Sequence, residues 1–122
     1  MRVIIVDGAN VVGSRPDGWW RDRPGAAERL HQAIAAPDLG FDLVVLVLEG
    51  DAKRGRPAGD EGVIRTVHAP GSGDDMIVEQ TRTRSADGDD VVVVTADRVL
   101  RERVASVGGS SVGPSWLLAQ TS

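Results

Sequence analysis

Carboxylates close three apolar runs of this chain. Asp7 follows Val3 to Val6, Glu49 and Asp51 follow Leu43 to Leu48, and Asp97 comes shortly after Val91 to Val94, while Asp74 and Asp75 open a segment after Gly71-Ser72-Gly73. Each has an ordinary reading by itself, because Asp accepts backbone N–H bonds in turns and at helix starts and complements the helix dipole. Asp97, just ahead of Arg98 to Val107, is the plainest such cap. Capping does not explain why four motifs should meet at one edge of one sheet. Like charges held together raise one another's pKa and destabilise the fold unless a cation offsets them. There is no cysteine, and His31 and His68 are the only imidazoles, so oxygen would have to hold any metal here. Hard oxygen donors favour magnesium or manganese, and about four carboxylates would be roughly neutralised by two divalent ions.

Elements must exist to position these acids. Val3 to Val6 reads as a strand buried on both faces, as in the middle of a parallel sheet. A polar segment with glycine and proline follows to Arg23. Ala27, Leu30 and Ile34 then recur at helical spacing, with Pro24 suited to the first turn and Pro37 ending the pattern. Leu43 to Leu48 is a second strand, followed by a flexible basic loop from Lys53 to Gly62. Val63 to Val67 is a shorter strand, and Gly71 to Gly73 turns into a helix starting near Asp74. Val91 to Val94 is the clearest strand. Leu100, Val104 and Val107 make a helical stripe, Ser110 to Val112 a last strand, and Pro114 through Trp116, Leu117 and Leu118 a terminal helix. Strands alternating with helices give an α/β three-layer sandwich with a largely parallel sheet, in which ligands bind beyond the carboxyl ends of the strands. The acids fall at that edge. A length of 122 residues suits a single domain, 1–122.

A formal net charge of -4 argues against a broad basic face for nucleic acid. Charge is unevenly spread, however, and Arg15, Arg21, Arg23, Lys53, Arg54 and Arg56 all fall in expected loops, where they could meet phosphates. No Gly-x-Gly-x-x-Gly, phosphate loop or serine nucleophile elbow is present, which removes the common dinucleotide, nucleotide-triphosphate and serine-hydrolase readings. His31 lies among polar helix positions and is expected in solvent, and His68 is expected on the surface at a strand end. Nothing from Met1 to Asp7 reads as a basic leader or a membrane span, so a cytoplasmic location without membrane contact is expected.

Three motifs together carry a resemblance. Val6-Asp7-Gly8-Ala9-Asn10-Val11-Val12, Gly71-Ser72-Gly73-Asp74-Asp75 and Val94-Thr95-Ala96-Asp97-Arg98 resemble, in order and over nearly the whole chain, those of NYN domains. These are the PIN-like group that includes the YacP-like RNA-binding proteins. The resemblance implies a five-stranded PIN-like sheet of order 3-2-1-4-5 and a magnesium- or manganese-dependent ribonuclease that leaves a 5′-phosphate and a 3′-hydroxyl. Carried over by position, Asp7, Asp75 and Asp97 are the principal metal ligands and Asp74 a supporting acid. Asn10 orients Asp7 or the scissile phosphate, completing a catalytic set of Asp7, Asn10, Asp75 and Asp97, and Thr95 hydrogen-bonds the acids. Related nucleases often carry a further acid where this chain has Arg101. Glu102 follows it, but on a helix it points about 100° away, so a second metal would need Glu49 or Asp51. The expected substrate is single-stranded RNA, with Lys53, Arg54 and Arg56 on flanking phosphates and Trp19 and Trp20 stacked on unpaired bases. The rival expectation is a catalytically inactive PIN-like module that binds RNA or protein, favoured by Arg101 and the net negative charge. A homodimer or a protein partner is compatible with both.

Overall fold

The computed structural model describes residues 1–121. Its centre is β1 (Arg2–Asp7), flanked by β2 (Leu43–Leu48) and β5 (Asp90–Val94). Val3 to Val6 have no exposed surface, as expected for a strand covered on both faces. Beyond β2 lies β4 (Ile64–His68), and beyond β5 lies β6 (Ser110–Val112). These five strands are parallel and, counted among themselves, run in the expected order 3-2-1-4-5.

The sheet has six strands rather than five. β3 (Gly59–Glu61) pairs antiparallel with β4 at the edge, inside the segment expected as a flexible loop. All three of its residues are exposed, so it carries no apolar pattern by which a strand is recognised. Arg65 Nε donates to Asp60 Oδ1 at 2.8 Å across this pair. The preceding stretch, Gly50–Gly55, is a 3-10 helix and not open loop.

Alternation along the strands divides the core into two layers. Ile4, Val6, Val44 and Leu46 face α1 (Gly8–Gly13), α2 (Arg23–Ala35) and α5 (Pro114–Thr121), through Val11, Leu30, Ile34 and Leu117. Val3, Ile5, Val45, Val91 and Val93 face α3 (Gly73–Ala86) and α4 (Arg98–Ser106), through Ile77, Val78, Leu100 and Val104. No helix among the described residues is long and apolar enough to cross a membrane.

Two further expectations are corrected. The segment after Asp7 is not irregular: α1 starts directly at Gly8, with Asp7 as its cap, and a 3-10 turn covers Trp19–Arg21. His31 is buried, with 3% of its surface exposed. Its Nε2 lies 3.4 Å from Glu61 of β3, and desolvation together with nearby Arg56 holds its pKa below the usual imidazole value. The edge strand that patterning misses thus places Glu61 beside the histidine. His68 Nε2 lies 2.7 Å from the Arg56 carbonyl oxygen.

The sharp step from β1 into α1 needs a residue without a side chain. A Cβ at Gly8 would stand 2.6 Å from the Val47 carbonyl oxygen and 3.0 Å from Leu48 Cδ2. Gly8→Ala should therefore destabilise by about 2 kcal/mol, the scale of overpacking a filled core. A urea titration reads this, and a variant as stable as the parent would mean that β2 yields freely there.

Candidate functional site

The parallel register puts Asp7 one step past the last β1–β5 pair, Val6 with Val94, and so level with Thr95. Thr95 is fully buried and donates its hydroxyl to Asp7 Oδ2 at 2.9 Å, while the Asn10 N–H reaches Asp7 Oδ1 at 3.3 Å. The same Thr95 oxygen accepts the Asp97 N–H at 3.2 Å, and Asn10 Oδ1 accepts the Ala96 N–H at 2.9 Å. Asp97 Oδ1 in turn caps α4 by accepting the Leu100 N–H at 3.0 Å. The carboxyl ends of β1 and β5 are thus laced together by the side chains of the first and third motifs. The Asn10 side chain holds the β5 loop, and Asn10 meets Asp7 through its backbone N–H alone.

Two more carboxylates approach from the other side. Glu49 Oε2 accepts the Gly73 N–H at 3.1 Å, tying the end of β2 to the start of α3. Asp74 lies in the first turn of α3. Asp7, Asn10, Glu49, Asp74 and Asp97, with Ala9, line one shallow cleft of about 270 Å³. Asp7 is 5% exposed. Burial raises its pKa to about 6 against the lowering effect of its hydrogen bonds, and the charges of Asp74 and Glu49 push the same way. The Asp74 pKa is also raised, by desolvation and then by Asp97 and Glu49. The convergence expected from the sequence is real for these residues.

The other expected site residues are placed differently. Asp75 is turned from the cleft, with 72% of its side chain exposed and Oδ1 accepting Arg103 Nη2 of α4 at 2.9 Å. Asp51 pairs with Arg54 Nη1 at 2.7 Å. Arg56 bonds Glu28 and Glu61, and Lys53 Nζ donates to the Ala69 carbonyl at 3.1 Å. All three expected phosphate contacts therefore already hold protein partners. Arg101 Nε donates to Ser111 Oγ at 2.9 Å, and Glu102 lines a separate depression with Arg98 and Arg101 on α4. Trp19 lines a cavity beside the acids, whereas Trp20 is 55% exposed. Sequence reasoning named Glu49 only as a reserve ligand. Its signal was the acid directly after a buried strand, the same signal that marks Asp7.

Superposition on solved structures supplies the comparison. The crystal structure of Rae1 (YacP) from Bacillus subtilis matches with a TM-score of 0.77 at 16% identity, over 99% of this chain and 74% of that one. Its W164L mutant matches with a TM-score of 0.78 at 18% identity, over 99% and 75%. This chain shares the Rae1 fold. No family model matches the sequence, and no curated protein matches it significantly. Likeness to Rae1 at this identity shows the fold alone; what the site does has to be argued from its own residues.

Those residues suit a hard divalent cation in kind: four carboxylates on one cleft, one of them buried at an energetic cost. Among the described residues, no three acids or histidines stand close enough to encircle an ion as they are. A cation would have to draw the acids closer together. Removing the Thr95 hydroxyl tests how Asp7 is held. Thr95→Val deletes the hydrogen bond that most strongly lowers the Asp7 pKa, so that pKa should move above 6, and stability should fall by about 1–2 kcal/mol. Carboxyl chemical shifts followed against pH check the direction; a downward shift would rule out this bond as support for the ionised form.

Proposed function

We propose that this chain is a cytoplasmic, magnesium- or manganese-dependent ribonuclease that hydrolyses single-stranded RNA at the cleft formed by Asp7, Glu49, Asp74 and Asp97. The supporting observation is the buried Asp7, held by Thr95 and the Asn10 N–H while two further acids raise its pKa. Such a group is costly to a structural core and suited to binding a cation. Asp7, Asp74 and Asp97 would hold the ion, with Glu49 as a further donor and Asp75 reaching it only by leaving Arg103. The cation would lower the pKa of a bound water and offset charge on the phosphate under attack. The chain's own residues fix where that happens. The Thr95 hydroxyl and the Asn10 backbone N–H hold the two Asp7 oxygens, and the cap made by Asp97 fixes α4 against the β5 end. Arg98 and Arg101 form no ion pair among the described residues and could take a flanking phosphate in place of the occupied Arg54 and Arg56.

A second reading, a PIN-like module that binds RNA or protein without cleaving, is favoured by the engagement of Asp75 with Arg103 and by Arg101 in place of an acid. Incubating an end-labelled single-stranded RNA with manganese, magnesium or chelator separates the two. Cleavage leaving 5′-phosphate ends and stopped by chelator is expected. Intact RNA at millimolar manganese would select the binding module.

A further inference from the structure

Beside the acid cleft lies a second cavity, of about 370 Å³. Ala9 and Glu49 belong to both walls, so the two spaces adjoin. The floor is apolar, formed by Val12, Ala27, Leu48 and Ala52, with Trp19 closing one side. Arg23 lies 5.0 Å from the Trp19 ring centroid and forms no ion pair among the described residues. Trp20 meets Trp19 edge-on, with centroids 6.0 Å apart, and projects outward beside Arg21.

We infer that this cavity is a subsite for one unpaired nucleobase of the RNA strand whose phosphate lies at the acid cleft. The inference rests on the reading of that cleft as an RNA site and adds which part of the substrate is gripped, and by what. The volume is in the range of small-molecule pockets, about 300–1,000 Å³. A base offers flat apolar faces to Trp19 and the aliphatic floor, and edge N–H groups to the Glu49 carboxylate and to the Asp51 oxygen that Arg54 leaves open. Those carboxylates repel a phosphate inside the cavity and leave it to Arg23 at the wall. An acidic peptide is excluded by the same charges. Of the expected aromatic pair, only Trp19 lines the cavity and is placed to stack within it.

The test is binding of a fluorescent single-stranded RNA hexamer, read by anisotropy in chelator so that no cleavage contributes. Trp19→Ala, which removes the stacking ring, and Ala52→Leu, which fills the cavity and keeps the ring, should each weaken binding about tenfold or more, the scale of one lost base stack. Trp20→Ala should cost clearly less. Moving a single abasic nucleotide along the hexamer should weaken wild-type binding strongly at one position and change the Trp19→Ala variant little there, because coupled partners are not additive. A flat abasic scan, equal losses for Trp19→Ala and Trp20→Ala, or no binding of RNA would each overturn the subsite. The wild-type arm of the scan needs no variant and so decides even where a variant fails to fold. Adding manganese to the same wild-type complex keeps the two questions apart. A position-specific abasic loss without cleavage removes the nuclease and leaves the subsite, whereas cleavage with a flat scan does the reverse.

Discussion

Asp7→Asn is expected to stabilise the metal-free protein at neutral pH while removing most of its response to manganese. The Asp7 carboxyl has a pKa of about 6 in the fold against 3.8 as an unperturbed group, desolvation being the main cause. Below pH 3.8 the proton is bound in both states, and Asp7 carries no penalty. As pH rises through 6, the unfolded chain has already ionised, and the fold must bury a carboxylate beside Asp74 and Glu49. The stability present at low pH is then lost, by about 3 kcal/mol at pH 7.5. Asparagine carries no charge and avoids that loss. It also has one acceptor oxygen for two donors, the Thr95 hydroxyl and the Asn10 N–H, which costs about 1 kcal/mol. The net gain, about 2 kcal/mol, corresponds to a rise in Tm of about 5–10 °C for a domain of this size. Near pH 4 the gain should vanish or reverse. For wild type, a cation that binds only the folded state adds about 2.7 kcal/mol at 100 times its Kd, an increment the variant should mostly lack. Calorimetric melts between pH 4 and 8, in chelator and in manganese, read both effects. A variant less stable than wild type at pH 7.5 in chelator would show that Asp7 serves as a cap whose charge the fold tolerates.

What could be read from the sequence follows from which features are local. β1, β2 and β5 are built on continuous apolar runs with few competing interpretations, and the acids that follow them are fixed to the carboxyl edge by strand direction alone. β3 was illegible because its three residues are exposed and held by backbone pairing and the Asp60–Arg65 contact, neither of which leaves a pattern. His31 is expected in solvent on its polar type, yet it shares the buried face of α2 with Ala27 and Ile34, one turn to either side, and a strand distant in sequence brings Glu61 to 3.4 Å from it. The basic stretch looked free for phosphate because its partners, Glu28, Glu61 and the Ala69 carbonyl, come from other elements. Asp74 and Asp75 show the limit most sharply. They are adjacent in the first turn of α3 and diverge by about 100° around its axis. Which one faces the cleft depends on the rotation that Ile77 and Val78 impose by packing on the sheet, and on Arg103 from α4.

That divergence sets the last prediction. Asp74→Asn and Asp97→Asn should each lower kcat/KM for manganese-dependent RNA cleavage by about 100-fold or more, since even residues that only support a metal ligand are worth about 10–100-fold. Asp75→Asn should cost less than about tenfold, because its side chain is largely exposed and already satisfied by Arg103. The effect it does have would pass through Arg103. That guanidinium lowers the Asp74 pKa in part, and releasing it from Asp75 alters how strongly it does so. Arg103→Ala separates the contributions: it removes a cation that favours ionised Asp74, so the pH at which activity rises should move upward, while Asp75 loses its partner and becomes free to swing. Single-turnover cleavage measured across pH for the four variants, with melts to confirm folding, decides the matter. If Asp75→Asn is as damaging as Asp97→Asn while Asp74→Asn retains turnover, α3 presents the other carboxylate when RNA and metal are bound. The Asp75–Arg103 pair would then be a resting contact that the substrate breaks.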